Sequence, residues 1–431
     1  MKRLLDHIGD KIDQRQFGGV KKTSTVHYLI EFLTFVLFNL DNSEAHSVLS
    51  TMIDFSKAFN RIDHNTIILK LAELNVPTWI LKVIIGFLSN RKLQVRYKGK
   101  TSKVVEMPGG GPQGTIIGMF LFIILINPVK FGPSIKWGET LTSKDHNSAR
   151  NIHLKYVDDL TLAEAIKLKN LQKDVRQHDF PLNFHQRTGH RLPQNLFQTQ
   201  DKVSEIIHFA NENGMKINSA KSKVMLFNRS RKFDFMPEIR LSKDQVCEVV
   251  EEMKLLGVHI TSDLKWQSHV NYITKRANLK LWILRRLKKL GADQEILTDL
   301  YNKQIRSILE YACPVWGPGL TKGDSKELER VQKSAFAIIF GYQDYQKILV
   351  KHGQKSLEER RSDALNKFAI KTSKHPVFSG WFKHKSTKIQ TRSKAKYVEI
   401  PFRTYQWKNS PIPMMIRMLN NRNNSKMHAY T

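Results

Sequence analysis

The chain of 431 residues is long enough for two to three domains, and its 41% hydrophobic content can fill a sizeable core, which excludes bulk disorder. Seventy Lys and Arg against 39 Asp and Glu give a formal net charge of +31, so a polyanion is the expected partner. Two cysteines, Cys247 and Cys313, are too few for a zinc knuckle and fit a reducing, intracellular setting.

Residues 1–15 are charged and lack the apolar core of a secretory signal. Gln16-Phe17-Gly18 follows, and Thr25 is placed to cap a helix over 26–38. Met52 and Ile53 read as the end of a strand, with Asp54 beside the turn after it. Residues 62–89 carry apolar positions at helical spacing and predict a helix pair, the second starting at Pro77. The alternating run 93–97 is a strand, turned by Lys98-Gly99. A Gly-rich loop, Gly109 to Gly114, opens the apolar run Ile116 to Ile126. That run is shorter than the about 20 residues of a membrane span, so it reads as a buried helix and no membrane is expected as a partner.

Residues 130–152 read as a loop, and 155–162 as an apolar hairpin with Asp158-Asp159 at its centre. A surface excursion is expected over 167–204, then a helix over 203–211 ended by Gly214. Beyond Leu256-Gly257-Val258 the pattern is helical. Val270, Ile273, Ala277, Leu281, Leu284 and Leu287 form an apolar stripe, and Lys275 and Arg276 stand among the basic residues at the other positions. Helices are also expected over 296–309, 328–339 and 357–370. Residues 261–431 hold 33 basic and 13 acidic side chains, which makes this part the expected nucleic-acid grip. Within it, 371–431 has 13 basic residues and one acid, interleaved with Trp381, Phe382, Tyr397, Phe402, Tyr405 and Trp407. These aromatics either stack on bases, at about 1–3 kcal/mol each, or form a small core.

Alone, Asp158-Asp159 is an acidic turn. Successive strand residues point to opposite faces, so only a tight turn can bring both carboxylates to one site, and their repulsion calls for a cation. The ordered series DFSKAF (Asp54 to Phe59), GPQGT (Gly111 to Thr115) and YVDD (Tyr156 to Asp159) resembles the three palm motifs of reverse transcriptases. The resemblance is closest to non-LTR retrotransposons of the jockey-like LINE kind. It extends from the QFG…ST segment at Gln16 through Asn218 and Lys221 in GMKINSAKSKVMLF, to Leu256-Gly257-Val258.

The resemblance implies an α+β fold: a right-hand polymerase palm, an antiparallel sheet with packed helices, then a helical thumb and a helical, basic C-terminal region. Its domains would be 1–260 (palm with partial fingers), 261–342 (thumb-like) and 343–431. It implies an RNA-directed DNA polymerase using an RNA template, a DNA primer and deoxynucleoside triphosphates, with two Mg²⁺ ions, or Mn²⁺, held by Asp54, Asp158, Asp159 and the carbonyl of Phe55. Lys221 would protonate the leaving pyrophosphate, a role for which Lys223 competes; such help is worth about 10²–10⁴-fold. Phe59 would exclude the 2′-hydroxyl, and Gln113 and Gly114 would meet the nucleotide. Gln16, Lys21, Lys22, Leu256, Gly257, Lys275 and Arg276 would meet template or primer. Asn60 and Met119 stand where the family usually has Asp and Pro. Only fifteen residues precede Gln16, so the chain resembles the C-terminal part of a retroelement reading frame, with fingers incomplete and no endonuclease. The rival expectation is an inactive fragment that only binds nucleic acid; a group II intron maturase-like protein fits the motifs less well. A ribonucleoprotein of nucleus and cytoplasm is the expected location.

Overall fold

The computed structural model describes residue 4 and residues 7–41, 45–56, 59, 62–107, 109–111, 114–131, 151–167, 198–229, 238–385 and 396–425. The expected loop 132–150, most of the 167–204 excursion, Gln113 and Asn60 lie outside them.

Helix α1 (Thr25–Asp41) is apolar almost all round and is buried along its length. Its cap is Ser24, one residue earlier than expected, whose hydroxyl accepts from the His27 amide at 3.4 Å. Strands β1 (Ala45–Ile53) and β2 (Phe55–Ser56) flank Asp54. The expected pair of helices is α2 (His64–Glu73) and α3 (Thr78–Leu88). A hairpin then carries β3 (Lys92–Leu93), β4 (Arg96–Tyr97), β5 (Lys100–Thr101) and β6 (Val105–Glu106), turning at Lys98-Gly99 as its sequence requires. Helix α4 (Ile116–Ile126) starts from Thr115, whose hydroxyl accepts from the Gly118 amide at 3.0 Å, and it is buried.

Strands β7 (Asn151–Tyr156) and β8 (Asp159–Lys167) form the acidic hairpin. Helix α5 (Gln198–Glu212) begins five residues before the expected start, because Glu164 accepts from the Thr199 amide at 2.9 Å and anchors its first turn. Then come β9 (Lys216–Ile217), β10 (Lys223–Asn228), β11 (Glu248–Val249), β12 (Glu252–Leu255) and β13 (Val258–Thr261).

The main sheet has the order β11-β10-β1-β8-β7, antiparallel except for β10 with β11. Alternation along β1 sends Val48 to one face and Leu49 and Ile53 to the other. Each face seeds its own apolar cluster. Leu49, Ile53, Leu160 and Leu162 join α2 to α5, while Val48, Ile152, Leu154, Ala163 and Phe227 join α1 and the C-terminal helices.

The C-terminal half is helical, as its periodicity predicts. Helix α6 (Gln267–Lys289) buries Val270, Ile273, Ala277, Leu281 and Leu284, with Leu287 half-buried. After it come α7 (Gln294–Leu300), a π-helical segment (Tyr301–Arg306), α8 (Ser307–Glu310), α9 (Cys313–Trp316), α10 (Lys322–Phe340), α11 (Tyr345–Lys351), α12 (Leu357–Ser373), α13 (Tyr405–Lys408) and α14 (Pro411–Ser425).

The tail aromatics are divided between the two readings. Trp381, Phe382, Tyr397 and Trp407 are buried, whereas Phe402 and Tyr405 are exposed. Trp381 and Trp407 lie against α1. Phe378 stacks on His27 with centroids 4.2 Å apart, the Trp381 indole N–H donates to Glu31 at 2.9 Å, and the Arg403 amide donates to Asp41 at 2.8 Å. Burial raises the Glu31 carboxyl to about 7 and lowers His27 to about 4. One apolar cluster therefore runs from Phe17 to Leu419, and the basic C-terminal region shares a core with the α1 face of the sheet. No helix among the described residues is long and apolar enough to cross a membrane.

Candidate active site

Register builds the site. β1 and β8 pair Met52 with Thr161 and Ile53 with Leu160, so one further step sets Asp54 beside Asp159. On the other side of β8, Tyr156 pairs with Asp159, leaving Val157 and Asp158 as a two-residue turn. Val157 has φ +60°, a conformation a β-branched residue rarely adopts. Tyr28 fixes this hairpin from beneath, its hydroxyl donating to the Thr161 hydroxyl at 2.6 Å.

The strained turn is held by the segment before α1. The Phe17 amide donates to Lys155 O at 2.8 Å and the Lys155 amide to Arg15 O at 3.0 Å, so residues 15–17 run along the free edge of β7. A Cβ on Gly18 would lie 2.5 Å from Val157 Cγ2 and 2.7 Å from Val157 N. Gly18→Ala is therefore expected to displace the turn, costing about 1–3 kcal/mol of stability. A wild-type melting temperature in Gly18→Ala would show that the backbone yields without consequence.

Asp54 is clamped through its backbone. Its amide donates to the Ser222 hydroxyl at 3.2 Å, and its carbonyl accepts from the Asn218 amide at 2.8 Å. That turn brings Lys221 Nζ to 3.9 Å from Asp54 Oδ2 while the lysine stays largely exposed. Lys223 lines the same cleft but pairs with Glu248. Of the two lysines, Lys221 is the one that pairs with Asp54.

The three carboxylates feel one another. Burial, then Asp158, then Asp54 raise the Asp159 carboxyl to about 6. Burial and Asp54 also raise Asp158, against Lys221. Among the described residues, no group of three or more His, Cys, Asp or Glu is arranged to hold a metal ion by itself. Beside the acids opens a cleft of about 420 Å³, lined by Asp54, Asp159, Thr161 and Lys221 on one side and by Glu252, Lys254 and Leu256 of the β12–β13 hairpin on the other. Leu256 and Gly257 make the hairpin turn, at φ +45° and +87°, and the Tyr311 hydroxyl donates to Leu256 O at 3.0 Å.

The remaining expected site residues are dispersed. Phe55 is buried, and Phe59 is half-buried against Phe122 with centroids 5.4 Å apart. Gly114, at φ +79°, opens onto free space. Gln16 is 2% exposed, and its side-chain amide donates to Gly18 O at 2.8 Å, so it braces the loop from inside. Lys21 and Lys22 are exposed in that loop. Lys275 is exposed on α6, and Arg276 turns toward Tyr272, donating to its hydroxyl at 3.2 Å. Ser222, Tyr28 and Gly18 were missed as positioning residues because each acts across the fold.

Residues 1–260 match the family described as reverse transcriptase (RNA-dependent DNA polymerase). The probable RNA-directed DNA polymerase from transposon X-element of Drosophila melanogaster is 21% identical over 332 residues, 76% of this chain and 32% of that protein. The RNA-directed DNA polymerase from mobile element jockey of Drosophila funebris is 21% identical over 323 residues, 74% of this chain and 31% of that one. The chain thus spans about a third of the length of these curated relatives. Among solved structures, apo telomerase from Candida tropicalis is similar over 84% of this chain and 51% of that chain, at 13% identity and a TM-score of 0.40, too low for the likeness to carry weight.

Proposed function

The chain belongs to the reverse transcriptase (RNA-dependent DNA polymerase) family, and from that premise we propose that it copies an RNA template into DNA as the polymerase of a non-LTR retrotransposon. The observation that carries this reading is that Asp54, at the end of β1, and Asp159, at the start of the adjacent β8, line one cleft, with Asp158 in the turn next to Asp159. In this reading residues 1–260 are the palm with part of the fingers, 261–342 the thumb and 343–431 a basic C-terminal region, and the location is a nuclear and cytoplasmic ribonucleoprotein.

The donors suit hard divalent cations: three carboxylates, of which Asp158 and Asp159 are raised by burial and by neighbouring carboxylates. Mg²⁺ needs only one or two carboxylates when substrate phosphate oxygens complete its shell, so a ready-made three-ligand group is not required. Asp54, Asp158, Asp159 and the Phe55 carbonyl would hold the ions. Bound there, a pair of such ions activates an attacking hydroxyl and stabilises a leaving oxygen.

The chain's own groups do the rest. Lys221, over Asp54, would hold the proton needed by the departing pyrophosphate. Phe59 would exclude a 2′-hydroxyl, and Gln113 and Gly114 would lie along the nucleotide. Leu256 and Gly257, across the cleft, would seat the primer end; Lys21, Lys22, Lys275 and Arg276 would hold phosphates by charge. The test is extension of a labelled DNA primer on an RNA template with Mg²⁺ and deoxynucleotides. Template-dependent elongation supports the reading. Tight binding of the primer–template without any elongation would instead mark the chain as a nucleic-acid-binding fragment.

A further inference from the structure

The hairpin over residues 91–107 is not used by the site. It is held by pairs Lys92↔Glu106 and Leu93↔Val105 at its root, and Arg96↔Thr101 and Tyr97↔Lys100 near its tip. Ser102 joins the halves: its amide donates to Val95 O at 2.8 Å, and its hydroxyl accepts from the Val95 amide at 2.9 Å. Every residue from Lys92 to Glu106 is exposed, including Val95 at 60% and Tyr97 at 70%. A two-stranded ribbon without a core is marginal in water, and bare apolar side chains on it favour a covering partner.

Charge says which partner. Lys92, Arg96, Lys98, Lys100 and Lys103 face a single acid in this stretch, Glu106. Phosphates satisfy the cations, and an unpaired base satisfies Tyr97, whose ring is exposed and flanked by Lys98 at 5.5 Å. A duplex offers phosphates but keeps its bases stacked, so a single strand uses both features. The ribbon is also wired to the site region. Arg91 Nη1 donates to Gly110 O at 2.7 Å, the Met107 amide donates to Arg91 O at 2.8 Å, and the neighbouring Gly111 amide donates to Phe59 O at 2.6 Å.

We propose that this hairpin grips single-stranded RNA, the template not yet paired, by phosphate contacts from Arg96, Lys100 and Lys103 and by stacking on Tyr97. The identity of the strand as template rests on the polymerase reading; the grip itself does not.

The test measures binding of a short, mixed-sequence single-stranded RNA to the full chain across a salt series. Neutralising Arg96, Lys100 and Lys103 together to Gln should reduce the slope of log affinity against log salt by about 2, at about 0.7 per phosphate contact, and weaken binding roughly 100-fold at about 0.1 M salt. Tyr97→Ala should weaken binding about 5- to 150-fold with the slope unchanged. A control triple at exposed Lys82, Lys130 and Lys243 should leave both nearly untouched. An unchanged slope in the hairpin triple, an equal loss in the control triple, or a loss confined to an RNA–DNA duplex would each overturn the proposal. The two readings fail separately. Absent primer extension with an intact hairpin effect sinks the polymerase alone, and extension with no hairpin effect sinks the grip alone.

Discussion

Asp158→Asn is expected to reduce primer extension by more than about 10²–10³-fold, the loss typical when one preorganised group is removed from a reaction centre. The fold should survive, because Asp158 sits in a two-residue turn whose backbone pairing is made by Tyr156 and Asp159. Its side chain is half-buried and raised by burial and by Asp54, so it contributes repulsion to the metal-free protein. Asn keeps the shape and removes the charge. Without divalent ions the variant should melt no lower than wild type, since a like-charge contact has been relieved. Extension within tenfold of wild type would remove Asp158 from the chemistry. A collapsed melting temperature would instead make it structural.

Asp13→Asn should produce the largest loss of stability, about 3–5 kcal/mol, out of a typical total of about 5–15 kcal/mol. Asp13 Oδ2 accepts from His153 Nε2 at 2.6 Å and pairs with Lys155 Nζ at 2.7 Å, and its Oδ1 accepts from the Arg15 amide at 3.0 Å. Burial pushes the Asp13 carboxyl up, but His153 and Lys155 outweigh it and hold the group well below the usual carboxylate range. Lys155 is fully buried and burial lowers its ammonium; it also donates to Ile126 O at 3.1 Å and Asn127 O at 3.2 Å. Removing the carboxylate leaves that cation uncompensated on the strand that leads directly into Val157-Asp158. Urea unfolding checks the loss, and Asp13→Asn combined with Lys155→Met should recover most of it. A single-variant loss under about 1 kcal/mol, or no recovery in the double variant, would show that the pair does not brace the strand.

These two carboxylates mark the boundary of what could be read from the chain. Asp158 was legible because its signal is local: an apolar run, two acids and a second apolar run can only be a hairpin with charge at its tip. The same holds for Asp54 at the end of β1, for the Lys98-Gly99 turn, and for the stripe from Val270 to Leu284, because periods of two and of 3.6 residues are written in neighbouring positions. The lysine at 155, inside an apolar strand, went unread as a signal of a buried partner.

Its identity was not legible. Asp13 reaches Lys155 only because residues 15–17 run along the edge of β7, a pairing set by sheet register across about 140 positions of sequence. Gln16 turned inward for the same reason. The tail aromatics were ambiguous because stacking platforms and cores use the same side chains, and only the docking of Phe378, Trp381 and Arg403 on α1 decided between them. Local patterning determined the elements, and the chemistry they carry was read from the resemblance of the ordered motifs. Tertiary register and long-range burial, which bring together groups that no window of sequence contains, decided which side chains brace the site and which face the solvent.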